Sequence, residues 1–90
     1  MVRPLHQPQH IWIITVTHEA AGMHSIKTAD SYYTDLNLAQ KAAETIIRLY
    51  LSEYDEVKEG DVKAFVGTKI MQNGGKVRYV VRPEKVVRGI

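Results

Sequence analysis

The spacing of apolar residues along this chain changes character twice, and that limits the folds open to it. From His10 to His18 the sequence HIWIITVTH is rich in β-branched and aromatic residues and reads as a strand. After Glu19-Ala20-Ala21-Gly22 a second, more polar strand runs from Met23 to about Asp30. From about Asp35 to Lys58 the apolar residues recur at helical spacing, with Thr34 or Asp35 as the cap and Gly60 as the stop. Strand character returns over Val62 to Gln72 and again over Gly75 to Arg82, where Pro83 ends it. Val86 and Val87 in the tail can add a short edge segment. The order strand, strand, helix, strand, strand describes an α+β domain of two layers, ββαββ. Its antiparallel sheet of about four strands carries one helix packed on one face.

The turns set which residues face each other. A three-residue loop Ala20-Ala21-Gly22 pairs His18 with His24, Val16 with Ile26, Ile14 with Thr28 and Trp12 with Asp30, gathering Trp12, Ile14, Val16 and Ile26 on one face. A two-residue loop sets His18 against Met23 and sends Ile26 to the other face; the coherent apolar face favours the first register. In the second hairpin, Asn73-Gly74 is the pattern of a type I′ turn, which opposes Ile70 to Val77, Thr68 to Tyr79 and Val66 to Val81. That register places Lys63, Phe65, Lys69, Met71, Lys76, Arg78, Val80 and Arg82 together on the face turned away from the core.

Ninety residues make one small domain, here 10–90, preceded by an arm at 1–9 in which Pro4 and Pro8 discourage regular structure. With no cysteine, disulfides, thiolate nucleophiles and Cys-ligated metals are excluded, and a reducing cytoplasm is permitted. The first ten residues lack the apolar core of a signal peptide, and Ile11-Trp12-Ile13-Ile14, the longest apolar run, is far short of a membrane span. The expected location is cytoplasmic.

No catalytic constellation emerges. The serines lack a G-x-S-x-G setting, and Gly74-Gly75 does not open a helix. His18 and His24, neighbours in the chosen register, with Glu19 nearby, offer at most a weak metal or acid-base site, the basis for a metal-dependent hydrolase as an alternative. The cluster Glu53, Asp55, Glu56, Glu59 and Asp61 reads as a solvated acidic end of the helix. No cofactor or metal site is assigned.

Charge is the most informative feature. The net charge of +2 conceals a division: residues 35–61 hold seven acidic and three basic residues, while residues 62–90 hold seven basic and one acidic. A sheet face bearing Lys63, Phe65, Lys69, Lys76, Arg78 and Arg82 can meet phosphates or an acidic protein surface. The helix carries a wider apolar arc than one sheet covers, so Ile47, Leu51 and Tyr54 are expected at a homodimer interface. These features describe a small non-catalytic binding or regulatory protein, of the type of phage and mobile-element accessory or inhibitor proteins. Its partner is a protein or, alternatively, a nucleic acid bound on the basic face.

Overall fold

The computed structural model describes residues 9–88. It is an antiparallel five-stranded sheet with one helix on one face: β1 (Gln9–Ala20), β2 (Met23–Tyr33), α1 (Leu36–Tyr50), β3 (Asp55–Glu59), β4 (Val62–Ile70) and β5 (Lys76–Arg88), in the sheet order β2-β1-β5-β4-β3. The α+β class and the single helix layer follow the sequence reading. The strand number does not, because the acidic segment after the helix is itself a strand. The expected arm lies outside the described residues except for Gln9, which begins β1.

The helix begins where its chemistry says it should. Asp35 is the cap, its carboxylate accepting the Asn37 N–H at 2.8 Å. Ala39, Ala43 and Ile47 form the buried stripe, and the two alanines let the helix lie close to the sheet. It ends at Tyr50, eight residues short of Lys58, with Leu51 already extended and its N–H bonded to the Ile47 carbonyl at 2.9 Å. The residues beyond it pair with β4 instead, through a two-residue turn Gly60-Asp61 in which Gly60 has φ 63°.

Both hairpin registers differ from expectation by one residue, with the same physical consequence. At β1–β2 the loop is Ala21-Gly22, so Ala20 faces Met23, Glu19 faces His24, His18 faces Ser25 and Thr17 faces Ile26. Ile26 therefore lies on the face away from the helix. At β4–β5 no non-glycine residue has positive φ, so the type I′ geometry, which needs it at Asn73, is not adopted. Gly74, at φ 85°, follows a turn closed by its own N–H on the Met71 carbonyl, and the Met71 N–H reaches the Gly75 carbonyl. The loop is three residues, Gln72 to Gly74, and Phe65 faces Val81, Thr68 faces Arg78 and Ile70 faces Lys76. Such a slip of one residue turns every side chain of one strand to the opposite face.

The core follows from these registers. Ile14 and Val16 of β1, Val81 of β5 and Phe65 of β4 meet Ala39, Ala43 and Ile47 of the helix and Leu51 at its C-cap. Between helix and β3 the chain passes so close over β4 that a Cβ at Gly67 would lie 2.5 Å from Leu51 Cδ1 and 3.0 Å from the Glu53 carbonyl oxygen. Because Leu51 is locked in the core, Gly67→Ala is expected to cost about 1–3 kcal/mol of stability by overpacking. Urea unfolding checks this; an unchanged midpoint would show that the crossing relaxes freely.

Candidate functional site

Strand and helix lengths dictate that part of the sheet stays bare. A helix of 15 residues spans about 22 Å, whereas β5, with 13 residues, spans about 43 Å. The helix covers the middle, over Val16, Val81 and Phe65, and its last residue, Tyr50, reaches the row of His18 and Tyr79. Beyond that row the helix side of the sheet continues uncovered through Ala20, Met23 and Val77 toward the two hairpin tips.

An aromatic cluster closes the edge of the covered region. Tyr50 and Tyr79 stack with ring centroids 4.9 Å apart, and His18 stands edge-on to both, at 5.9 and 5.0 Å. Tyr79 stands opposite Gly67 in the β4–β5 ladder, on the helix side of the sheet. Three open hollows surround the cluster. One of about 240 Å³ is lined by His18, Ala20, Met23 and Val77, one of about 320 Å³ by Lys27, Ile46 and Leu49, and one of about 280 Å³ by Leu51, Lys69 and Ile70. Large apolar side chains stand out around them: Leu49 is 78% exposed, Met23 74% and Ile70 69%. Lys27 and Lys69 border the hollows, and neither meets a carboxylate within ion-pair distance among the described residues. This is an apolar, aromatic surface with a positive rim, able to bury a partner's side chains and attract its carboxylates.

The structure does not gather the sequence-derived basic face in one place. Phe65 is only 2% exposed and belongs to the core, edge-on to Tyr54 with centroids 5.8 Å apart. Lys63 and Lys69 share the helix side with it, while Lys76, Arg78 and Arg82 lie on the open side of the sheet. Lys63 is 4.0 Å from Glu56, Arg78 is 3.7 Å from Glu19, and Arg82 reaches across β4 to Glu59 at 3.0 Å. The acidic segment expected as a solvated helix end is thus the neighbour of the basic hairpin, and two of its carboxylates each pair with one of the hairpin's basic residues. Such exposed pairs contribute little stability, about 0–1 kcal/mol each, but they remove free positive charge.

The residues expected at a helix-mediated homodimer interface are spent inside the domain. Ile47 and Leu51 are buried in the core. Tyr54 packs on that core, accepts a hydrogen bond from Arg48 Nε at 2.9 Å and donates one to Glu44 Oε2 at 2.7 Å. Bonding to the Tyr54 oxygen, with the nearby Glu44 carboxylate, raises the Arg48 pKa above its ordinary value. The wide apolar arc of the sequence has two causes: helical spacing continues into the crossing segment, which is not helix, and the sheet is broader than four strands.

The histidine pair is likewise separated. His24 lies on the open side, its Nδ1 3.4 Å from Glu19, whereas His18 faces the helix side among the tyrosines. Among the described residues no three His, Asp or Glu side chains assemble as metal ligands, and no helix is long and apolar enough to cross a membrane. Comparison with protein-family models, curated proteins and solved structures gives no match to this chain.

The residues that sequence reasoning missed are Tyr50, Tyr79, Met23 and Leu49. The signal that could have found them is the mismatch between strand and helix lengths, which helical spacing continuing to Lys58 conceals.

Proposed function

We propose that this chain is a small non-catalytic binding or regulatory module of the cytoplasm, and that a protein partner docks on the uncovered end of the sheet around Tyr50 and Tyr79. The observation that carries this reading is the coincidence of exposed Leu49 and Met23 with a stacked aromatic pair and two lysines that form no ion pair among the described residues. Clusters of this composition, apolar and aromatic at the centre and charged at the rim, are where binding energy concentrates. Methionine adds adaptability, since its flexible thioether fits partners of differing shape. A nucleic-acid partner is the weaker reading because it drew on Phe65 stacking among coplanar basic residues, and Phe65 is buried.

The experiment is capture of partners from extracts of the source cells, followed by calorimetry with the purified partner. Leu49→Glu with Lys69→Glu alters two exposed residues and leaves the core intact. Affinity is expected to fall at least about tenfold, the loss of a modest interface anchor. The variant Lys76→Glu, changed on the open side of the same hairpin, is expected to bind as the parent does. The reverse pattern would move the binding surface to the open face and overturn this reading.

A further inference from the structure

The two edges of the sheet are built differently, and the difference identifies what pairs with one of them. β3, at one edge, is five residues long and carries Asp55, Glu56, Lys58 and Glu59. A two-fold pairing of β3 with its copy, centred on Val57, opposes Asp55 to Glu59 twice; the Glu56–Lys58 pairs it also makes do no more than offset that repulsion. Short, charged strands of this kind discourage edge pairing. β2, at the other edge, has eleven residues, no proline and one lysine, and among the described residues only β1 as a neighbour. Its regular part, Met23 to Thr28, is exposed throughout, with Ile26 63% exposed; the ladder becomes irregular only beyond Thr28.

We infer that β2 pairs antiparallel with β2 of a second copy of this chain about a two-fold axis at Ile26, joining two sheets into one of ten strands. A two-fold axis perpendicular to the sheet keeps each side chain on its own face, so partners must share a face. Centred on Ile26, the register sets Ile26 on Ile26 and His24 on Thr28 on the open side, with Ser25 on Lys27 and Met23 on Ala29 on the helix side. No like charges meet, and Ile26, an exposed aliphatic residue on the open side of β2, is covered by its own counterpart. The neighbouring registers are worse. Centring on Lys27 opposes two ammonium groups, and centring on Ser25 sets Met23 against Lys27 and Ile26 against His24. The seam from Met23 to Ala29 is about 24 Å long, and its central five residues, His24 to Thr28, lie in the regular part of β2. Charge excludes the β3 edge from the same role, and a head-to-tail β2–β3 contact would not close and would grow into filaments. The seam shares Met23 and Lys27 with the rim of the partner surface proposed above, whose centre lies over Tyr50 and Tyr79.

Sedimentation equilibrium of the full chain from about 10 to 500 µM tests it, a range that brackets dimers with Kd values near 100 µM. A monomer–dimer equilibrium is expected, weakened at least tenfold by Ile26→Lys, which puts two ammonium groups at the axis, and unchanged by Val57→Lys on the β3 edge. Both sites are exposed, so circular dichroism of the variants should match the parent. A strictly monomeric parent, a dimer indifferent to Ile26→Lys, dissociation by Val57→Lys, or open-ended polymers would each overturn the inference. The partner experiment reads different residues, so either proposal can fail alone.

Discussion

Replacing Phe65 by alanine is expected to remove about 3–5 kcal/mol of folding stability, much of what a domain of this size possesses. Phe65 sits on β4 opposite Val81, in contact with the cluster of Ile14, Ala43 and Ile47, and supports the ring of Tyr54. Truncation leaves a cavity between sheet and helix that the rigid strands cannot close. Phe65→Lys should prevent folding, since the ammonium would have to be buried without a partner. Thr68→Lys on the opposite side of the same strand is exposed and should stay within about 0.5 kcal/mol of the parent. Denaturant unfolding decides between these outcomes. Equal, small effects for Phe65→Lys and Thr68→Lys would show that Phe65 faces solvent.

The second large effect is expected at Leu51. A dimer built on the helix would make Leu51→Glu a dissociating but folded variant. The structure buries Leu51 at the helix C-cap against Ile47 and over Gly67, so the same change should cost more than the roughly 2–5 kcal/mol of a leucine truncation and unfold the domain at neutral pH. The sign of the pH dependence is a further check. Burial raises a carboxyl's pKa above its unfolded value, so the neutral form, populated as pH falls, is the cheaper one to enclose. Compared with Leu51→Gln at the same pH, the deficit of Leu51→Glu should therefore narrow from pH 7 toward pH 4. A folded Leu51→Glu at pH 7, with native circular dichroism and an unchanged melting temperature, would contradict the placement.

How much of this was legible in the sequence varies by element. The strand of His10 to His18 and a helix start capped by Thr34 or Asp35 were readable because propensity, alternation and capping chemistry agree there with the final fold. The end of the helix was not. Leu51, Tyr54 and Val57 continue helical spacing into a segment that forms β3 because pairing with β4 outweighs local preference, and no proline or glycine intervenes before Gly60. The faces of β4 were illegible for a sharper reason. Asn73-Gly74 fits a two-residue turn or a three-residue loop ending in a left-handed glycine, and the two differ by one residue in register. That residue decides whether Phe65 is core or surface. The position of the charge division was readable while its meaning was not, since the acidic segment turned out to be the neighbour of the basic hairpin, with Glu56 on Lys63 and Glu59 on Arg82.

The proposal that a partner docks at the aromatic end of the sheet, and not on a basic sheet face, rests on the register of β4 against β5. The chain has no cysteine, so paired engineered cysteines report that register without interference. Thr68→Cys with Arg78→Cys places two thiols directly opposite each other on the open side, and mild oxidation is expected to close an intramolecular disulfide in nearly all molecules. Thr68→Cys with Tyr79→Cys places them on opposite sides of the sheet and should stay reduced. Closure of the second pair and not the first would establish the two-residue turn, return Phe65 and Lys69 to the exposed face, and contradict the account.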